Sequence, residues 1–371
     1  PGFYEGNIAI SKPLTLRASG KGVVIHGDGT GSVITVTASY VTVDGLTIEN
    51  SGPKHQTVDA GITVRGADNV KILRNRIRDC LFGINFEQTN RSVIEDNDIT
   101  SLPVSLGLKG DGIRLWYSHG NLIRMNRTRY VRDNVFWYSS ANKIYENSGA
   151  DSRYSLHFMY ADRNEILSND YRRNSVGIFL MFSQGSTLKR NFVADSTGPF
   201  GIGIGMKESS DILVEENQIL YNARGFYLDS SPYQPGTFNT FRGNEINFNT
   251  TAFLLHGTLL PSLFESNVFK GNIEDVANDT PESKLEINTW RSNYWDNYEG
   301  FDRNDDGYGD IPHEQWMYAD RIWSYLPAAK FFYASPVLDF MNFLWRLMPF
   351  SEPVLLARDA RPQIRERGTE K

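Results

Sequence analysis

The chain has 371 residues, of which 40% are hydrophobic and 22% charged, a composition that supports a buried core and excludes disorder as the default state. A net charge of -6 lacks the basic balance expected of a phosphate-binding surface, so no nucleic-acid partner is expected. The single cysteine, Cys80, excludes an intrachain disulfide and a zinc site of several thiolates, and no run of 18 or more apolar residues offers a membrane-spanning helix.

The opening Pro-Gly-Phe-Tyr-Glu-Gly carries no signal-peptide pattern, and Asn7–Leu16 already reads as strand, turn, strand. The chain is therefore expected to begin inside a folded domain, behind a removed leader or a trimmed end. Leu14–Leu16, Val23–Ile25 and Val41–Leu46 are short runs rich in aliphatic residues and Thr, the expected first strands. From Ile72-Leu73-Arg74-Asn75 onward one motif recurs, an aliphatic residue followed by an asparagine. The asparagines are Asn75, Asn97, Asn126, Asn147, Asn169, Asn191, Asn217, Asn244 and Asn267, with gaps of 21 to 29 residues, which is a solenoid period.

A glycine–isoleucine pair keeps step with this motif. Gly61, Gly83, Gly112, Gly177 and Gly203 each lie 14 residues before an aligned asparagine. Segments such as Gly83–Glu87 alternate apolar and polar residues, the period of a strand with one buried face. A coil of about 22 residues cannot enclose a core alone, but coils stacked roughly 4.8 Å apart bury a continuous column. The fold expected is all-β, a right-handed parallel β-helix over residues 1–288. The repeated Asn is expected at a bend, taking the left-handed conformation itself and bonding the Asn of the next coil.

Residues 289–371 read as a carboxy-terminal segment. Trp290–Tyr298 is an aromatic cluster suited to sealing the open end of the helix. Next, Asp302, Asn304, Asp306, Tyr308 and Asp310, with Gly307 at the sixth position, match the first nine positions of an EF-hand loop, which makes structural Ca²⁺ a candidate. The twelfth position is His313 rather than a bidentate glutamate. Leu338, Met341, Leu344, Trp345 and Met348 fall on helical spacing, an amphipathic segment too short to span a bilayer but long enough to dock a partner. The charged tail after Pro353 has little to bury.

Taken together, the asparagine-ladder coils, Asn293-Tyr294-Trp295-Asp296, the acidic Asp302–Asp310 loop and Pro349-Phe350-Ser351-Glu352-Pro353 resemble the NosD family over nearly the full chain. The resemblance implies a periplasmic, noncatalytic accessory protein of an ABC transporter with a membrane permease and a cytoplasmic ATPase. It also implies receipt of copper from a small chaperone and delivery to apo nitrous oxide reductase, with the helix near Val337–Met348 as the dock for the permease. No Gly-x-x-x-x-Gly-Lys-Ser/Thr loop occurs in this chain, consistent with an ATPase residing elsewhere.

Cu⁺ prefers thioether and imidazole ligands. The candidate copper ligands are His157, Met159, Met181 and Met206: when coils are stacked, the first three share an outward face, with Met159 and Met181 direct neighbours, and Met206 lies one coil further at an inward position. Trp116 and Trp137 continue the same column. Cys80, flanked by Leu81 and Phe82, reads as a buried thiol. The rival class is a polysaccharide-active β-helix enzyme, a lyase, hydrolase or epimerase, which needs carboxylates or a base with Arg or Ca²⁺ in one groove. Asp111, Arg114, Arg132, Asp133 and Arg153 show no stacked carboxylate pair and read as solvated turn residues. A third class is a scaffold that never holds copper itself.

Overall fold

The computed structural model describes residues 2–198, 200–317, 332, 335–347 and 353–366. Among the described residues, sheets of 13, 12 and 14 strands stack along one axis, parallel throughout except for the final strand pair of the third, and the chain visits them in turn. One coil shows the pattern: Arg76–Cys80 lies in the first sheet, Phe82–Glu87 in the second and Val93–Glu95 in the third. Register is held coil to coil, as where Ile84 pairs with Ile62 on one side and Ile113 on the other. Inward side chains form a single core column from Ile10 to Trp295. Each fully buried aliphatic or aromatic side chain contributes about 1.5–3 kcal/mol relative to exposure, and only stacking makes that burial available.

The glycine of the glycine–isoleucine pair has a steric cause. A Cβ on Gly83 would sit 2.3 Å from the carbonyl oxygen of Gly112, and one on Gly177 would sit 2.6 Å from that of Gly203. At these two positions a side chain would collide with the backbone of the next coil, so glycine is required there.

At the corner between the third and first sheets the expected asparagine ladder is present. Asn169 donates its amide N–H and its Nδ2 to Asn191 Oδ1, at 3.1 and 2.9 Å, and a further Nδ2 bond to the Ile144 carbonyl. The left-handed residue, however, is the one before each asparagine. Arg74, Asp96, Met125, Glu146, Ser168 and Arg190 have φ between 53° and 57°, which leaves the asparagine turned inward with its amide aligned along the axis. A second ladder, missed by the sequence reading, runs through Ser92, Asn121, Asn142, Asn164 and Ser186 at the corner before the third sheet.

Thr289–Arg291 is the last coil strand of the third sheet, and Tyr294–Trp295 is the last strand of the first. Trp290 stacks on Phe264 at 3.9 Å and Trp295 on Phe269 at 4.1 Å between ring centroids. Above them, His313–Met317 and Val354–Asp359 form an antiparallel pair joined to the third sheet at Trp290. Asp359, fully buried, takes the place of the next ladder asparagine and accepts from Asn293 N and Nδ2 at 2.8 and 2.9 Å and from Trp295 Nε1 at 3.3 Å. A carboxylate only accepts, so it suits the final rung, where no further acceptor has to be met.

Candidate metal centre on the second sheet

Outward positions of the second sheet form columns one residue wide. One column reads Glu87, Trp116, Trp137, Met159, Met181, Lys207, with a one-residue shift between Asp133 and Val135. The column two residues earlier carries His157 beside Phe179. The pleat turns both columns away from the core, and His157, Met159 and Met181 are each half-buried. His157 Nε2 lies 3.2 Å from Met181 Sδ, and Met159 is the direct register partner of Met181. Tyr154 stacks on the imidazole at 4.6 Å. On its other edge His157 Nδ1 is buried without a hydrogen-bond partner, 3.9 Å from Asp133 Oδ2. Imidazole nitrogen and thioether sulfur brought into contact are a donor set for a soft ion. Met206 is not part of it: it pairs with Leu180 and lies wholly in the core.

The charged residues beside this cluster are not solvated turns. Asp111 and Asp133 are both buried, and Arg132 joins them, 2.9 Å from Asp111 Oδ1 and 3.9 Å from Asp133 Oδ2. Arg153 closes on Asp133, with Nε at 2.8 Å from Oδ1. Burial, opposed by Arg132, pushes the Asp111 carboxyl up to about 6. Burial also acts on Asp133, but the Arg153 pairing outweighs it and holds that carboxyl below its ordinary range. Arg114 donates to Asn85 Oδ1 at 2.9 Å, and its guanidinium lies over the Trp116 ring. The two carboxylates, which do not share a face position in the sequence, are brought together on neighbouring coils by the Arg132 guanidinium that lies against both.

Next to the methionine column, the left-handed corner residues Tyr117, Tyr138, Tyr160 and Phe182 stack ring on ring at 4.8, 5.2 and 4.8 Å. Sequence alignment on the asparagine motif does not show this stack, since its signal is an aromatic one position past each outward column.

The Asp302–Asp310 loop turns its oxygens on itself. Asp302 accepts from the Asp306 and Gly307 amides at 3.2 and 2.8 Å, and Asp310 from the Arg303 amide at 2.7 Å. Asn304 Nδ2 donates to Asp306 at 3.3 Å, while Arg361 pairs with Asp306 at 2.9 Å and stacks over Tyr308. Among the described residues no three His, Cys, Asp or Glu side chains converge as a metal site, so the spacing of a calcium loop is present without its cage. His313 serves the cap instead, stacked on Trp295 at 4.7 Å and driven down to about 4 by burial. Cys80 is fully buried, and desolvation pushes its thiol up to about 12.

The expected helix spans Pro336–Leu347, with Leu338 half-buried and Met341 and Leu344 exposed. Trp345 lies on the same helix; Met348 and Pro349–Glu352 lie outside the described residues. Val337, Phe340, Phe343 and Leu347 are also exposed, so the apolar arc is wider than the expected stripe. Among the described residues no helix is long and apolar enough to cross a membrane.

A three-sided parallel β-solenoid with a soft-donor cluster on one flat face is the class of protein these features define. Residues 15–127 match a family model described as "Right handed beta helix region", which agrees with the expected hand. Residues 99–300 match the model described as "Periplasmic copper-binding protein (NosD)". The chain belongs to the NosD family. Two curated relatives, each called "Probable ABC transporter binding protein NosD", are from Pseudomonas aeruginosa and Stutzerimonas stutzeri. The first is 28% identical, covering 98% of this chain and 87% of its own length; the second is 28% identical, covering 94% and 82%.

Solved structures share the fold alone. The Azotobacter vinelandii mannuronan C-5 epimerase AlgE6 A-module has a TM-score of 0.51 at 16% identity, covering 77% of this chain and 91% of that one. The Streptococcus pneumoniae surface adhesin PfbA has a TM-score of 0.53 at 12% identity, covering 79% and 84%.

Proposed function

We propose that this protein is a periplasmic accessory subunit of an ABC transporter that holds Cu⁺ transiently at His157, Met159 and Met181. It takes the ion from a small copper chaperone and passes it to apo nitrous oxide reductase. The observation that carries the reading is the 3.2 Å approach of His157 Nε2 to Met181 Sδ, in a chain whose family is described as copper-binding. A proton on Nδ1, facing Asp133, leaves the Nε2 lone pair for the ion, an arrangement in which an outer carboxylate fixes the tautomer. Half-burial against Tyr154 and Trp137 limits water while leaving the face open for transfer. The exposed apolar helix Pro336–Leu347, with Leu338, Met341, Leu344 and Trp345, is the proposed contact with the permease.

Anaerobic Cu⁺ titration against a chromophoric chelator tests the site. The wild-type chain is expected to hold about one ion, and His157→Ala, Met159→Ala and Met181→Ala each to weaken it at least about tenfold, the equivalent of about 1.4 kcal/mol. A wild-type chain that does not compete with the chelator is a scaffold, with copper held by a partner. A second reading, a uronate-active enzyme, has in its favour the Asp111–Arg132–Asp133 cluster beside Tyr154 and His157. Turnover of oligouronates abolished by Asp133→Asn would establish that reading in place of the first.

A further inference from the structure

A notch on the first sheet, away from the metal cluster, has the chemistry of an anion site. Outward residues on three successive coils are Arg127 and Arg129, then Ser148 and Ala150, then Asp170 and Arg172. Coils stack about 4.8 Å apart, so a coil of short side chains between two coils of long ones leaves a gap with walls about 10 Å apart. The resulting cavity is about 170 Å³ and is also lined by Arg173.

The far wall is held rigid. Arg172 donates to both Asp170 oxygens at 2.7 and 2.9 Å and stacks over Phe192 at 4.2 Å, while Arg173 is bound to Asp151 at 3.0 and 3.2 Å. The near wall has donors to spare. Arg129 reaches Asp98 through one terminal nitrogen at 3.3 Å, and its Nε is buried with no hydrogen-bond partner. Arg127 is exposed and has no ion pair among the described residues.

A guanidinium N–H without an acceptor is unfavourable, and an oxyanion, taken by charge-assisted bonds, is the acceptor suited to it. The four arginines face one aspartate in the lining, within a chain whose net charge is -6, so the positive field here is local.

We propose that this notch binds a phosphate- or sulfate-sized oxyanion group, held by Arg127 and Arg129 over the Ser148 and Ala150 floor. The chemistry is shared by free phosphate and by the phosphate of an anionic lipid headgroup, and the test separates the two. Calorimetric titration of the purified chain with inorganic phosphate at low ionic strength is run beside co-sedimentation with phosphatidylglycerol–phosphatidylcholine vesicles. The variants are Arg127→Ala, Arg129→Gln and Ala150→Met, the last filling the notch without changing charge.

Saturable phosphate binding that drops at least tenfold in all three variants supports a free-anion site. Vesicle binding that drops in all three, without phosphate binding, supports a headgroup site. Binding of either kind that survives Ala150→Met while falling in the arginine variants overturns the proposal, because charge alone then suffices; so does no binding at all. Cu⁺ affinity is expected to be unchanged in the three variants, which keeps this result separate from that of the metal site.

Discussion

Asp359→Ala is expected to unfasten the carboxy-terminal end of the solenoid while leaving its middle intact. The carboxylate accepts from five donors: Ser292 N at 3.1 Å, Asn293 N at 2.8 Å and Nδ2 at 2.9 Å, Trp295 Nε1 at 3.3 Å and Arg361 N at 3.0 Å. Three of these belong to buried Asn293 and Trp295. Each buried donor stripped of its acceptor costs about 1–3 kcal/mol. Allowing for water entering the opened end, the expected loss is about 3–5 kcal/mol, confined to the last coil because each coil contacts only its neighbours. Asp359→Asn keeps one acceptor oxygen but turns an NH₂ towards donors, and an intermediate loss of about 1–2 kcal/mol is expected from the same range.

Hydrogen exchange followed by mass spectrometry reads this directly. In the alanine variant, peptides covering residues 289–295, 313–317 and 354–359 should lose protection, while those covering 140–220 should exchange as in wild type. Unchanged protection over 289–295 would refute the assignment of Asp359 as the closing rung, and a loss spread evenly along the chain would refute nearest-neighbour stacking.

Two further predictions concern groups shifted by burial. Asp275 accepts from Asn272, Gln315 and Asn297, yet desolvation pushes its carboxyl up to about 6. Its folded pKa therefore lies above the unfolded value near 3.9, so the native state binds the proton more tightly. Its contribution to stability is full below about pH 4 and falls by about 2–3 kcal/mol as pH rises to about 6. The difference in denaturation midpoint between wild type and Asp275→Asn should show that slope, and a flat difference would count against the shift.

Cys80 should resist thiol reagents in the native state and react only on unfolding, since its thiol is buried and pushed up to about 12. A chromogenic disulfide reagent checks this, with rapid native labelling as the contrary result. Cys80→Ala should leave Cu⁺ affinity unchanged.

Much of the architecture follows from a linear pattern because a solenoid converts sequence period into spatial neighbourhood. Isoleucines 13 residues upstream of an asparagine had to stack on one another, and the column Trp116, Trp137, Met159, Met181 could be read by counting along successive coils. What counting could not supply was rotation about a side-chain bond. That His157 turns towards Met181 rather than Met159 depends on the rotamers of all three and on the Tyr154 ring beside it. The left-handed bend was assigned to the asparagine because its residue type tolerates it, whereas the structure gives it to the preceding residue so that the amide can face its neighbour.

The sequence by itself determined the solenoid, the inward and outward alternation and the family motifs, all of which depend on local period and composition. Only the tertiary structure decided the rest. The meeting of Asp111 with Asp133 depends on the Arg132 guanidinium lying against both, and the closure of the ladder by Asp359 joined residues 66 positions apart. The notch between arginine coils emerged from side-chain lengths on three coils at once. In each case the deciding contact is long-range, and the free energy of a buried polar group depends on which partner arrives from elsewhere in the chain.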